Sequence, residues 1–261
     1  TERPIAVRDG PSIHECSITD DYVTVFDLPV TISLPTLAQG YNFPYRWNKA
    51  HPARVGLLPR RGHVDEIIWC DVDPCYIFHV ANSFQNDDGS VTIDCCAYES
   101  MFAHGPDGPN GVPCGFERWR VDPKTRTVTR TAIDRSPQEF PRVDERRFGQ
   151  SYRHAWIVSQ PSETVSNFVA ENALYHHDLE TGEKRSYTFG PDLVGGEFVF
   201  IPRVPDAEEA DGWLMGLVID AKNDTTQLQV FKALDIEQGP IGAVHIPHRI
   251  PPGFHGNWIP D

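Results

Sequence analysis

The sequence predicts an all-β protein, because helical periodicity is nearly absent and glycine and proline recur at short intervals. The chain has 261 residues, of which 23 are proline and 20 are glycine. Glycine and proline at this frequency interrupt helices and favour many short strands. About fourteen runs rich in β-branched and aromatic residues lie between turn sequences such as NDDGS and DLETGEK.

In chain order, the candidate strands are YVTVFDLPVTISL, RVGLLPR, EIIWCDV, CYIFHVANSF, VTIDCCAYE, FERWRVD, TVTRTAI, HAWIVSQ, ALYHHDL, KRSYTFG, EFVFIPRV, GWLMGLVID, QLQVFKAL and IGAVHIP. Three stretches share one pattern, a strand, an aspartate, a polar turn with threonine and a second strand: WRVDPKTRTVTR, YHHDLETGEKRSYTF and GLVIDAKNDTTQLQVF. Repeated hairpins over a chain of this length indicate the blades of a β-propeller. A β-sandwich is the alternative, although so many strands would be unusual in one sandwich.

Charge and composition narrow the classes of partner. The formal net charge is -14, which repels nucleic-acid phosphates and argues against a nucleic-acid role. No apolar run approaches the ~20 residues that cross a bilayer, and TERPIAVRDG has no signal-peptide core, so we expect a cytoplasmic protein. Six cysteines without framework spacing predict reduced, mostly buried thiols. The acidic stretch DAEEADG predicts a solvated hairpin turn rather than a cation site.

Most of the eleven histidines have a simple structural interpretation. His51, His63 and His104 lie in polar or Pro/Gly-rich segments and are predicted to be surface residues. His176 and His177 are neighbours in a strand, so they point to opposite faces and cannot both serve one site.

Three histidines differ from these: His14 in GPSIHECSIT, His79 in CYIFHVANSFQ and His255 in GFHGNW. An imidazole buried in an apolar run needs a partner for each ring nitrogen or a metal on one of them. Glu139 lies between SPQ and FPRVDER, Glu197 opens the apolar FVFIP, and a carboxylate at the head of a buried strand needs a specific partner. A metal-bound histidine is such a partner. Satisfied core histidines, and carboxylates that form caps or ion pairs, are the alternative.

Longer stretches carry a resemblance to a known family. They are PSIHECSITDDYVTVFDLPV, FPYRWNKAHPARVGLLPRRG, WCDVDPCYIFHVANSFQNDDGSVTIDC, QEFPRVDERRFGQSYRHAW, GGEFVFIPRVPDAEEADGWLMGLVIDAKNDTTQLQV and HIPHRIPPGFHGNW. Together, and in this order, they resemble the carotenoid cleavage dioxygenase family, which also includes stilbene-cleaving dioxygenases and the isomerohydrolase of the retinal pigment epithelium.

The resemblance implies a seven-bladed β-propeller with a non-haem Fe(II) held by four histidines on its axis. His14, His79 and His255 match the second, third and fourth of those ligands. Glu139 matches the carboxylate expected to hold His79, and Glu197 matches the one expected to hold His255. The first histidine and the glutamate that supports His14 belong upstream, so residues 1–261 are expected to be one propeller domain incomplete at its N-terminus.

Two departures from the family pattern leave these ligand positions in place. The family usually has His-Asp where this chain has His14-Glu15, and often a glutamate where it has Gln85.

The resemblance also implies the reaction. Both atoms of O2 would be added across one C=C bond of an apolar conjugated substrate, a carotenoid, an apocarotenoid or a stilbene, to give two carbonyl products. Aromatic residues near the ligands are candidates for the substrate tunnel, with core packing as the alternative: Phe78, Phe84, Phe254 and Trp258. Isomerohydrolase activity, a metal-poor binding module and peripheral membrane contact remain open alternatives, and the oligomeric state is not predicted.

Overall fold

The structure, a computed structural model, describes residues 4–105, 108–160 and 172–259. It divides the chain into two compact units. Unit 1 contains the described residues up to Ser136 together with Phe148–Ser151, and unit 2 contains Pro137–Arg147, 152–160 and 172–259. Among the described residues, no helix is long and apolar enough to cross a membrane.

Unit 1 has ten strands and one short helix among its described residues. They are β1 (Cys16–Ile18), β2 (Tyr22–Asp27), β3 (Val30–Ile32), α1 (Leu34–Ala38), β4 (Tyr45–Trp47), β5 (Arg54–Pro59), β6 (Ile68–Asp71), β7 (Tyr76–Gln85), β8 (Val91–Tyr98), β9 (Pro113–Asp122) and β10 (Thr127–Asp134). A 3₁₀ turn spans Val64–Glu66.

The described part of unit 2 has eight strands. They are β11 (Gln138–Val143), β12 (His154–Ser159), β13 (Ala173–Asp178), β14 (Glu183–Thr188), β15 (Leu193–Pro202), β16 (Gly212–Asp220), β17 (Thr225–Lys232) and β18 (Gly242–Ile246). Two 3₁₀ turns span Glu145–Arg147 and Ile236–Gln238.

Most strands belong to four-stranded antiparallel sheets. In unit 1 the order β1-β2-β5-β6 is joined to β10-β9-β8-β7 by one parallel pairing, Asp71 with Thr127, and β3 pairs with β4. Unit 2 has the orders β11-β12-β13-β14 and β15-β16-β17-β18. Four-stranded antiparallel sheets of this kind are the blades of β-propellers. The predicted all-β, propeller-type fold class is confirmed.

The sheets of unit 2 pack on an aromatic core. Trp156 of β12 stacks on Phe200 of β15 with ring centroids 5.2 Å apart, and Phe198 packs edge-on against Phe231 at 5.5 Å. These side chains are almost fully buried together with Leu214. Burial on this scale explains why the strands read as nearly continuous apolar runs.

The recurring aspartate of the three predicted hairpins caps each turn. Asp122, Asp178 and Asp220 begin the β9-β10, β13-β14 and β16-β17 turns. Asp122 and Asp178 each accept the backbone N–H groups two and three residues ahead, and Asp220 accepts the one three residues ahead. Such aspartate turns offer the backbone local partners where ladder hydrogen bonds end. The hairpin prediction is therefore confirmed, although the third hairpin occupies a different place in its sheet from the other two.

The prediction that His51 lies on the surface is wrong. Its side chain is buried, with Nδ1 3.0 Å from Asp9 Oδ2 and Nε2 2.6 Å from Asp27 Oδ1. Asp27 is itself fully buried and also accepts a hydrogen bond from Arg54 Nε at 2.8 Å. The polar sequence around His51 gave no indication of burial, because its partners come from segments about 24 and 42 residues away.

A pair of buried histidines lies in unit 2. His154 Nδ1 and His176 Nε2 are 3.0 Å apart, and the His176 ring stacks on Trp156. His177, its neighbour, bonds Gln138 instead, so adjacent histidines do face opposite ways. Burial lowers the pKa of His176 to about 4, and His154 and Arg185 act in the same direction against a weaker opposing effect of Asp178.

This depressed pKa predicts a loss of stability in acid. His176 binds a proton less readily in the folded state than in the unfolded state. Its contribution to the free energy of unfolding is therefore fully present above about pH 6.5 and is lost as the pH falls toward 4. The loss should reach about 3 kcal/mol, measured by urea unfolding across this range. Replacing His176 with Phe should flatten the slope, whereas His248→Gln, at an exposed position, should not. An unchanged slope in His176→Phe would contradict the assignment.

Candidate metal centre

Two of the predicted ligands meet in unit 1. His14 precedes β1 and His79 lies in β7, and their ring centroids are 5.0 Å apart with the planes nearly perpendicular. His79 occupies an irregular stretch of β7, where the pairing register shifts between Ile77 and Val80. An extra residue of this kind redirects side chains, and such bulges are frequent beside functional sites.

The His14 ring has a defined orientation. Its Nδ1 lies 3.1 Å from the carbonyl oxygen of Phe78. A carbonyl can only accept, so Nδ1 carries the proton in this bond and the lone pair of the neutral ring lies on Nε2. The next residue, Glu15, accepts the Val80 N–H through Oε2 at 2.8 Å. Glu15, which stands where the family usually has aspartate, thus joins the segment that carries His14 to β7.

The third predicted ligand lies in unit 2. His255 Nδ1 is 3.2 Å from Glu197 Oε1, and Gly256 N–H donates to Glu197 Oε2 at 2.9 Å. The His255 side chain is 49% exposed, whereas that of Glu197 is 6% exposed. Because a carboxylate accepts, this bond also places the Nδ1 proton and leaves the lone pair of the neutral ring on Nε2.

A cation holds Glu197 in its ionised form. Burial opposes ionisation, but the hydrogen bond and charge of Arg142, with smaller contributions from Gly256 and His255, keep the pKa of Glu197 below its usual range. Arg142 Nη2 lies 2.8 Å from Glu197 Oε2. Sequence reasoning identified Glu197 and missed Arg142, since nothing in QEFPRVDER distinguishes this arginine from surface arginines nearby.

Glu139 and its neighbour lie in β11, a strand that the sequence reading also missed. Glu139 is 2% exposed, and its Oε2 accepts the Phe140 N–H at 2.7 Å. Phe140 has φ 57°, a left-handed conformation that is rare for a bulky residue. Phe254, beside His255, has φ 61°. Backbone strain of this kind concentrates at functional sites and persists only where the surroundings enforce it.

The two strained phenylalanines border an apolar cavity within unit 2. The cavity has a volume of about 220 Å³, and His255 and Glu197 are part of its lining. Apolar side chains from β15 and β16, such as Val199, Met215 and Leu217, form much of the remainder. Phe140 contacts the His255 ring edge-on at 5.8 Å.

The other aromatic residues proposed for a tunnel have different surroundings. Phe78 packs edge-on against Tyr76 and His14 at 5.0 Å, within unit 1. Phe84 lies further along β7, which forms a parallel bridge to Gly149. Trp258 is 46% exposed and is not part of the cavity lining described for unit 2. Of the four, Phe254 is the residue that borders the cavity.

The donor chemistry fits a transition-metal ion such as iron. In their neutral forms, His14 and His255 each have the lone pair on Nε2, and imidazole suits iron among other metals. Ring centroids 5.0 Å apart allow His14 and His79 to bind one ion through bonds of about 2.1 Å. Within either unit, the described residues contain no group of three or more His, Cys, Asp or Glu side chains that could hold a metal.

Comparisons with known proteins identify the family of this chain. Residues 1–260 match the retinal pigment epithelial membrane protein (RPE65) family. A protein of Mycobacterium tuberculosis named carotenoid cleavage oxygenase is 32% identical over 98% of this chain and 60% of its own length. The chain therefore belongs to the RPE65 family, in which the resemblance seen in the sequence had placed it.

Solved structures show the same likeness. Cobalt-substituted Synechocystis ACO, an apocarotenoid oxygenase, has a TM-score of 0.83 and 28% identity over 95% of this chain and 53% of its own. The lignostilbene dioxygenase of Pseudomonas brassicacearum has a TM-score of 0.83 and 26% identity over 96% and 55%. The chain thus spans between about half and 60% of the length of these relatives.

The bond between Glu197 and His255 predicts a change of tautomer. Glu197→Gln keeps the volume but replaces one acceptor oxygen with an NH2 donor. Arg142 and Gly256 hold the remaining oxygen, so the NH2 group would face His255 Nδ1 and favour the Nε2–H tautomer. Nitrogen NMR of the metal-free protein at mildly alkaline pH measures the ratio of the Nδ1–H to the Nε2–H tautomer of His255. Glu237→Gln, at an exposed position, should preserve the wild-type ratio, and so would Glu197→Gln if the bond were unimportant.

Proposed function

We propose that the chain is part of a non-haem Fe(II) dioxygenase that cleaves a C=C bond of an apolar conjugated substrate with O2. The observation that carries the proposal is the fixed tautomer of His14 and His255, each with Nδ1–H directed at an acceptor. Two such imidazoles, in a member of this family, are what a metal held by neutral histidines requires.

The proposed ligands are His14, His79 and His255. Glu139 is proposed to hold His79, and Glu197 to hold His255. When bound, Fe(II) would supply the activation of O2. The protein side chains would orient the substrate and exclude water. We assign none of them to acid–base chemistry.

The substrate class follows from the cavity and the relatives. The apolar lining near His255 suits a hydrocarbon chain and would shield the reacting bond from water. The M. tuberculosis relative is named for carotenoid cleavage, and the P. brassicacearum structure is a lignostilbene dioxygenase. We therefore propose a carotenoid, an apocarotenoid or a stilbene as substrate, with two aldehyde or ketone products.

Labelled oxygen tests this reaction. The full-length natural protein that contains this sequence, loaded anaerobically with Fe(II), should convert a carotenoid, apocarotenoid or stilbene with ¹⁸O2 into two carbonyl fragments. Each fragment should contain one ¹⁸O, measured by mass spectrometry after immediate reduction to alcohols, which prevents exchange with water. An isomerised substrate with an intact carbon skeleton would instead indicate isomerohydrolase chemistry.

Ligand variants are the controls of this experiment. His79→Ala and His255→Ala should retain little iron and form no product, whereas His248→Ala, at an exposed position, should match the wild type. Normal iron content in either ligand variant would contradict the ligand assignment. A wild-type protein that binds no iron would favour the metal-poor binding module.

Peripheral membrane contact is proposed for the surface around α1. Large apolar side chains are exposed there over a short stretch of chain: Ile32, Leu34, Leu37, Tyr41 and Phe43. A cluster of this kind is typical of a surface that meets a membrane or another protein. An apolar substrate would be drawn from the same lipid phase. The net charge of -14 disfavours anionic lipid, so contact would depend on apolar insertion.

Vesicle binding tests this contact. The protein should sediment with phosphatidylcholine vesicles, and the double change Leu34→Ser and Leu37→Ser should reduce the bound fraction severalfold. The matched control is Leu234→Ser, which alters an exposed leucine of unit 2. Equal binding by the α1 variant would contradict this assignment and would leave the cleavage reaction unaffected.

A further inference from the structure

Arg142 connects three parts of unit 2. Its Nη2 donates to Glu197 Oε2 at 2.8 Å and to the Gly256 carbonyl oxygen at 2.5 Å, and its Nη1 donates to Glu145 Oε1 at 2.8 Å. Its side chain is only 16% exposed. A planar guanidinium can serve several acceptors at once, whereas a lysine ammonium serves them only as a point charge.

A bulge in β11 determines the direction of this side chain. Glu139 is opposite Val158 and Arg142 is opposite Trp156, so three steps along β11 match two steps along β12. Successive residues of a regular strand alternate between faces, and one extra residue reverses the face of every residue that follows. Without the extra residue at the strained Phe140, Arg142 would project to the other face of the sheet.

The segment that carries His255 depends on such side-chain contacts. Residues 251–259 are exposed and form no strand. His255 and Gly256 both donate to the Glu197 carboxylate, and the Gly256 carbonyl accepts from Arg142. Because Arg142 also bonds that carboxylate, one guanidinium fixes both the acceptor and the backbone of the residue beside His255.

We infer that Arg142 is a positioning residue, which holds the Glu197 carboxylate and the Gly256 carbonyl in the arrangement that presents His255 Nε2 for metal binding. The inference rests on the proposed function for the metal, but the fixation of the segment does not. A carboxylate bonded on both oxygens has a defined orientation, so it directs His255 Nδ1–H along one line. Residues that hydrogen-bond to the partners of metal ligands affect metal affinity even though they do not touch the metal.

Two measurements on the full-length natural protein test the inference. Hydrogen exchange of peptides covering 250–259, in metal-free protein, should be faster in Arg142→Met than in the wild type. Anaerobic competition should show Fe(II) affinity weakened about tenfold. Arg142→Lys should lie between Arg142→Met and the wild type in both exchange rate and Fe(II) affinity, because lysine keeps the charge and loses the forked geometry. Glu145→Gln is the matched control: it removes the charge of another partner of Arg142 and should change neither measurement.

The outcomes separate this inference from the proposed function. Unchanged exchange in both Arg142 variants would overturn it, and so would faster exchange with unaltered Fe(II) affinity. If the wild type binds no Fe(II) while Arg142→Met loosens 250–259, the fixation of the segment stands and the proposed function fails. If Arg142→Met does not fold, Arg142→Lys decides the question, because full wild-type exchange and affinity in that variant would show that the forked geometry is not needed.

Discussion

The Glu197 carboxylate is the point on which the arrangement in unit 2 depends. It is buried at the start of an apolar stretch, where an ionised group without partners would be strongly destabilising. It accepts hydrogen bonds from an arginine, a backbone amide and an imidazole, and these outweigh the effect of burial. The same bonds fix the exposed segment that follows β18 and the tautomer of His255, so the order of this segment and the orientation of its imidazole have one physical origin.

Irregular backbone places the candidate site residues in both units. His79 lies at a register shift in β7, and the bulge in β11 separates Glu139 from Arg142. Regular strands alternate side chains strictly, so residues three positions apart, such as Glu139 and Arg142, would face opposite sides of the sheet. A bulge removes that restriction at the cost of local strain, which here falls on Phe140. The strain is compatible with a stable protein because the surrounding sheets are well packed.

An apolar cavity lies beside the ion pair of Glu197 and Arg142, and the two are compatible because different atoms form them. Side chains of β15 and β16 supply the apolar lining, whereas Glu197 and Arg142 satisfy each other largely out of contact with solvent. A buried ion pair with additional hydrogen bonds leaves few unsatisfied polar groups to disfavour an apolar substrate. An apolar cavity and a fixed imidazole orientation can therefore be combined in one unit.

The sequence by itself determined the all-β class, the three aspartate-capped hairpins and the identity of His14, His79, His255, Glu139 and Glu197 as unusual residues, because local pattern and family resemblance are properties of the chain. Only the tertiary structure decided the partners. β11 was missed because Pro141 breaks a strand pattern, and that proline is tolerable because β11 is bulged there and lies at the edge of its sheet. The burial of His51 and the role of Arg142 were missed because their partners are distant in sequence. Hydrogen bonds across such separations depend on which distant segments meet in the folded protein, and no short stretch of sequence specifies that.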